Sequence, residues 1–242
     1  MFIYGSQLVK KLFSDFRNPK DIDYVTNDLI EYQNQISQIP SGTELHWIPC
    51  TPNREMTADE LYTLKVSHAI YDIHWQKTMS DIRFFQIKNC QIIPELLTEL
   101  RKHWEVVHKN KKRCDFNVED DMFFEDNVKR QIPHDDLHKI INSNPSYQLV
   151  VEGVKPIKEK FDNLSILDKN NICFEEAYVI AIERFYSKLP HRTAYNKAQQ
   201  ALVTRLHPIW LADWIILNWN NFFWTSKIDY YEIYETRINR QD

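Results

Sequence analysis

Glycine is the residue this chain most lacks: its 242 residues hold only three, Gly5, Gly42 and Gly153. That scarcity argues against an architecture rich in special turns and for a helix-rich one, in which each glycine fills a position that needs it. Cysteine is sparse and unpaired in spacing: Cys50, Cys90, Cys114 and Cys173 lie far apart, which argues against a cysteine-built zinc site. Reduced thiols, acting as small buried hydrophobes in a cytosol, are the simplest reading. Basic charge is not in excess, since the formal net charge is −4, so nucleic acid would have to be drawn by a local patch. No long hydrophobic run exists; the longest, Trp210 to Leu217, is interrupted by Asp213 and is too short to span a bilayer. The opening residues Met1 to Ser6 show no basic region followed by an apolar stretch, so no secretory signal is expected and a cytoplasmic location is.

What is present is ordinary for a folded chain: 43% apolar and 26% charged residues, with 13% aromatic. That composition, with its small net charge, argues against disorder. The length suits one large domain or two small ones.

Hydrophobic periodicity organises the chain. Phe2-Ile3-Tyr4 reads as a short strand, Gly5-Ser6 as a tight turn, and Gln7 to Phe16 as a helix with Leu8, Val9, Leu12, Phe13 and Phe16 on one face. Asn18-Pro19-Lys20 stops that helix, and Asp21 to Val25 alternates like a strand. Asn27 or Asp28 caps a helix over roughly 29–36, Pro40-Ser41-Gly42 is a turn, and Thr43 to Ile48 alternates again. Thr57 to Glu60 has the form of a capping box that starts a helix reaching about Ile70. Further helices are expected over 76–87, 95–109, 118–130, 135–141, 157–161, 174–189 and 194–218, the last divided at Pro208. Weak linkers fall at 110–114 and 142–146. The expectation is an α+β protein: a core with a small mixed sheet over residues 1–90, then a mostly helical region over 91–242.

Chemistry concentrates at the N-terminus. Gly5-Ser6 opens a helix, whose free amides and positive dipole end can hold a phosphate. Asp21 and Asp23 stand two apart on a strand, so both carboxylates face one side. Two like charges so placed need a cation or solvent between them, and magnesium suits carboxylate oxygens that share it with substrate phosphates. Glu44 on the next strand can join the pair, with His46 on the same face. Taken one at a time, each feature has a plainer reading as a turn, a solvated strand face or a surface carboxylate.

The order strand, Gly5-Ser6, helix, Asp21-x-Asp23 strand, helix, acidic strand resembles the DNA polymerase β-like nucleotidyltransferase superfamily. That resemblance implies that Ser6 grips a triphosphate tail and that Asp21 and Asp23 hold divalent ions, Mg2+ or Mn2+. Glu44 would complete the metal site, where the superfamily usually has an aspartate, and could help deprotonate the acceptor. The stretch Lys77 to Phe85 looks like the Lys-x-x-x-Asp helix of several minimal nucleotidyltransferases, which would turn Lys77 toward nucleotide phosphates; the plainer reading is an i, i+4 pair with Asp81. The chain is also similar to a nucleotidyltransferase-like family of large DNA bacteriophages and other large DNA viruses. The residues that carry this likeness are Leu64 to His68, Lys77 to Ile82, Phe123 to Asp126, His134 to His138 and Glu175 to Phe185. It would place such a protein in the host cytoplasm.

Several other groups are secondary candidates. His134 and His138 lie one helical turn apart and could share a metal with Asp135 or Asp136, or His134 or Asp135 could simply cap a helix after Pro133. Lys65 and His68 share a helix and could line the same cleft, Lys65 as a nucleotide contact. The basic run from Lys102 to Arg113 could touch phosphates of a nucleic-acid acceptor or be a solvated helix face. Trp210 and Trp214 share one face and read as core. The function expected is metal-dependent transfer of a nucleoside monophosphate from a nucleoside triphosphate to a hydroxyl on a protein, a nucleic-acid end or a small molecule. The alternative is a catalytically silent protein of the same fold that binds a nucleotide or a partner; no membrane partner is expected.

Overall fold

A computed structural model describes residues 1–71, 75–108, 145–152, 155–172 and 208–223. The protein is α+β, with a small three-stranded sheet near its N-terminus and helices over most of the other described residues. The chain divides into two units, one formed by residues 1–69 and 77–110 and the other by 70–76 and 111–242.

In the first unit, β1 (Phe2–Tyr4) runs antiparallel to β2 (Ile22–Thr26), and β2 runs parallel to β3 (Thr43–Trp47), giving a mixed sheet in the order β1-β2-β3. The helix α1 (Gly5–Leu12) follows β1 without a loop, at a position that favours glycine because its φ is +63°. Leu8 and Val9 bury against the sheet, while Lys10 and Lys11 occupy the last turn, where cations offset the dipole. Helix α1 stops at Leu12, short of the expected Phe16. Lys10 Nζ donates to the carbonyls of Ser14 and Phe16 at 2.7 and 2.6 Å, pinning the outgoing loop.

Helix α2 (Leu29–Gln35) connects the parallel strands. Asp28 caps it by accepting from the amides of Ile30 and Glu31. Gly42, at φ +82°, makes the turn into β3. Helix α3 (Ala58–His68) starts on the full capping box of Thr57 and Glu60. It buries Leu61, Tyr62, Leu64, Val66 and Ser67, so it is enclosed on more than one side.

Helix α4 (Trp75–Ile87) buries Thr78, Asp81, Ile82 and Phe85, a single stripe at i, i+3, i+4 and i+7. A carboxylate thus stands in a buried row, beside Thr78, Ile82 and Phe85. Helix α5 (Pro94–Val107) begins with proline at its first position, where the missing N–H costs nothing, and buries Leu100. It packs on α3 within the first unit.

In the second unit, helix α6 (Pro145–Gln148) precedes a two-stranded antiparallel pair, β4 (Val151–Glu152) and β5 (Lys155–Pro156). Then come α7 (Lys158–Asp162) and, after Pro208, α8 (Ile209–Phe223). Phe161 is fully buried with Trp210 and Trp214 against it, ring centroids at 5.4 and 5.2 Å, and both tryptophans are half-buried at the edge of this core. The helices expected over 118–130, 135–141 and 174–189, and the first part of 194–218, lie outside the described residues. No helix among the described residues is long and apolar enough to cross a membrane.

Candidate functional site

The sheet register builds the site. Tyr4 pairs with Asp23, and Asp23 pairs with Glu44, so these three side chains rise from one face of adjacent strands. His46 stands two residues beyond Glu44 on that face. The ligand atoms of Asp23, Glu44 and His46 all lie within 4.8 Å of one another. His46 Nε2 is 3.2 Å from Glu44 Oε2, and the His46 ring meets the edge of Tyr4 at 5.5 Å.

Gly5 closes the other side. A Cβ at this position would lie 2.5 Å from Asp23 Oδ2, so the first residue of α1 and the carboxylate are in direct contact through a surface only glycine leaves open. Tyr4, the N-cap of α1, makes no side-chain capping bond.

Electrostatics agree with this crowding. The Asp23 carboxyl is pushed above its ordinary range, first by burial and then by the neighbouring charge of Asp21, with Glu44 adding to it and His46 and Lys77 opposing it. The Tyr4 hydroxyl is driven well above its usual value by burial and by Asp23, Glu44 and Asp21, so it keeps its proton. Asp21 sits in the bend before β2 and acts on Asp23 through its charge; it is not one of the three groups that converge within 4.8 Å. Glu44 and the imidazole of His46 are therefore the two groups that lie beside the Asp23 carboxylate.

Beside this cluster lies an ion network centred on a buried carboxylate. Asp81, nearly devoid of solvent contact, accepts from Arg17 Nε at 2.8 Å and Arg17 Nη2 at 2.9 Å, and Lys65 Nζ is 3.3 Å from its Oδ2. Arg17 Nη2 also donates to Ser6 Oγ at 2.7 Å. The Arg17 guanidinium is raised above its ordinary value, chiefly by the Asp81 bond, with Asp21 and Asp23 contributing. Asp81 thus pairs with Arg17 and Lys65, not with Lys77 one turn away; Lys77 is exposed, and its charge reaches Asp23.

His68 stands apart from the carboxylates and stacks with Trp104 and His108 at 4.7 and 5.6 Å. Lys102 at the head of the basic run pairs with Glu99 at 2.7 Å, and residues 109–113 lie outside the described residues. His134, Asp135 and His138 also lie outside them. Cys50 and Cys90 are free and half-buried, their thiols pushed up by burial, which disfavours the nucleophilic thiolate.

Two members of the site were not anticipated from the residues alone. Tyr4 was read only as part of a strand, and Arg17 lies in a loop with no periodicity to mark it. A signal did exist for their environment: Asp81 falls on the buried stripe of α4, and a carboxylate there requires cations from elsewhere in the chain.

The family model of a domain of unknown function, DUF7275, matches residues 60–235, most of the chain. The chain belongs to the DUF7275 family. The DUF7275 match begins at Glu60 and takes in Lys65, Lys77 and Asp81, whereas Gly5, Ser6, Asp21, Asp23, Glu44 and His46 precede it. No curated protein and no solved structure matches the chain.

The residues fit a divalent ion. Two carboxylates and one imidazole nitrogen offer convergent donors; carboxylate oxygens suit Mg2+, and the nitrogen shifts preference toward Mn2+ and later first-row ions.

Proposed function

We propose that this protein is a metal-dependent nucleotidyltransferase that moves a nucleoside monophosphate from a nucleoside triphosphate to an acceptor hydroxyl. The observation that carries this reading is the contact of Gly5 with Asp23 at the point where Asp23, Glu44 and His46 converge. A helix start that can receive phosphate and a set of metal ligands thereby meet edge to edge.

Asp23, Glu44 and His46 hold the ion, and Asp21 adds negative charge beside it. A bound ion supplies charge stabilisation for the attacking and leaving oxygens of an in-line displacement. The free amides at the start of α1 receive the triphosphate tail, and Gly5 lets the backbone approach it. Lys77 is exposed near Asp23 and offsets phosphate charge. Tyr4 keeps its proton and backs the His46 ring, holding the imidazole in place. Glu44, whose side chain is 68% exposed, is the carboxylate best placed to take the proton of the acceptor hydroxyl. The new bond joins the acceptor oxygen to the α-phosphorus as the α–β anhydride breaks and pyrophosphate leaves.

The test is incubation of the full chain with each labelled nucleoside triphosphate, Mg2+ or Mn2+, and protein, nucleic-acid and small-molecule acceptors. Release of pyrophosphate that needs the ion and disappears in Asp23→Asn supports the reading. A second reading, a catalytically silent protein that binds a nucleotide or a partner, draws on one observation: the Ser6 hydroxyl is already engaged by Arg17. Nucleotide binding without turnover in any acceptor mixture would favour it.

A further inference from the structure

We propose that Arg17 and Lys65 form a polyphosphate-binding edge, and that buried Asp81 is the positioning residue that sets both cations there. The identity of the anion rests on the nucleotidyltransferase reading; the anion site itself rests on the following geometry.

Asp81 has 3% side-chain exposure, yet Arg17 and Lys65, its two partners, are 32% and 30% exposed. One buried carboxylate thus faces two cations whose outer surfaces remain in solvent, so Asp81 itself balances only one of them, and Asp21 and Asp23 lie further along the edge. A lone structural ion pair would need only one cation.

The donors of Arg17 are divided in the same sense. Nε and Nη2 are spent on Asp81 and Ser6, while Nη1 makes no hydrogen bond to any described residue. Phe16 lies against the guanidinium, 5.1 Å from Cζ to ring centroid. A planar fork with one arm anchored and the other open is suited to phosphate oxygens. The anchored arm touches Ser6, the second residue of α1, so the open arm belongs to the same edge as the helix start. Asp21 and Asp23 are close enough to hold the charge of Arg17, so an anion bound there lies alongside the metal ligands.

The plain alternative is that Arg17 and Asp81 only clip the loop after α1 to α4. Charge distinguishes the two. If Asp81 acted on an anion merely as a nearby negative charge, removing that charge would tighten binding. If Asp81 positions Arg17 and Lys65, removing it weakens binding although the site becomes more positive.

The experiment is calorimetric titration of the full chain with inorganic tripolyphosphate, with and without Mn2+, and far-ultraviolet circular dichroism to verify folding of each variant. The wild type is expected to bind. Arg17→Gln should weaken binding about tenfold or more, as loss of a charge-assisted contact implies, and Lys65→Gln should weaken it severalfold. Arg17→Lys should not restore it, because lysine lacks the fork. Asp81→Asn should weaken binding rather than tighten it. The proposal is overturned if the wild type does not bind tripolyphosphate, if folded Arg17→Gln and Lys65→Gln both bind within twofold of wild type, or if folded Asp81→Asn binds more tightly. Should the Asp81 or Arg17 variants not fold, Lys65→Gln decides alone, since Lys65 lies at the exposed edge. Tripolyphosphate binding that depends on Arg17 in a protein without pyrophosphate release would overturn the nucleotidyltransferase reading and support this one. Turnover with Arg17→Gln affinity unchanged would do the reverse.

Discussion

Asp23 holds its carboxyl above the ordinary range because burial and Asp21 both penalise its charge. The consequence for stability follows from linkage. A folded pKa raised over the unfolded one means that the folded state binds more protons between the two values. The stability this proton provides is fully present below the unfolded pKa and is lost as pH rises through the folded pKa. Asp23→Asn is therefore expected to be more stable than wild type at neutral pH, with the advantage fading as pH falls through the raised folded pKa and gone below the ordinary carboxylate value. Denaturant midpoints measured across that window check this, and an advantage that does not change with pH would contradict it. Gly5 is the second residue on which the site turns. Gly5→Ala places a Cβ on a left-handed backbone, a strain of about 1–2 kcal/mol, and pushes it against Asp23 Oδ2. Because that oxygen is the end of a side chain, it can swing away and leave the fold intact. The expected result is a modest fall in denaturant midpoint with a much larger fall in Mn2+ affinity; unchanged metal affinity would argue that Gly5 serves only the turn.

The elements were legible wherever a local signal specified them. Asp28 and Thr57 each mark a helix start by a side chain that accepts from the first turn, and both helices begin there. Alternation marked β2 and β3, and Pro94 opened α5. Thr57→Ala removes one half of a capping box, and the expected cost is about 1 kcal/mol, read as a lower denaturant midpoint. Rescue of that loss by Thr57→Ser and not by Thr57→Val would tie it to the hydroxyl. Other elements escaped notice because nothing local encodes them. The strands β4 and β5 are two residues each, too short for alternation to register, and α1 ends at Leu12 because Lys10 ties down the loop carbonyls, a tertiary bond across the turn. The i, i+4 spacing of Lys77 and Asp81 was real, but Asp81 faces the core and takes its cations from α3 and the loop after α1. Spacing along one helix shows which residues can meet, not which face the helix turns inward.

At the scale of the whole molecule, the family match and the carboxylate cluster fall on different stretches of the chain. The DUF7275 match starts at Glu60, yet the first unit it enters is completed by the strands before it. Lys65 and Asp81 lie within the matched stretch, and Arg17, Ser6 and Asp23 lie outside it. The ion network around Asp81 joins the two stretches, so the site can be understood only from the folded unit. Of the acidic residues that the sequence order singles out, Asp23 and Glu44 meet on the sheet with His46, which alternation puts on the face of Glu44, whereas Asp21 stays in the bend before β2 and Arg17 enters from a loop that no pattern describes. The most direct test of the account is the binding of Mn2+ to the full chain, followed by electron paramagnetic resonance with and without a non-hydrolysable nucleoside triphosphate. The account predicts a bound ion whose affinity rises with the nucleotide and collapses in Asp23→Asn and Glu44→Gln, with His46→Gln weakening Mn2+ more than Mg2+. Mn2+ that does not bind, or binds equally well to Asp23→Asn, would contradict it.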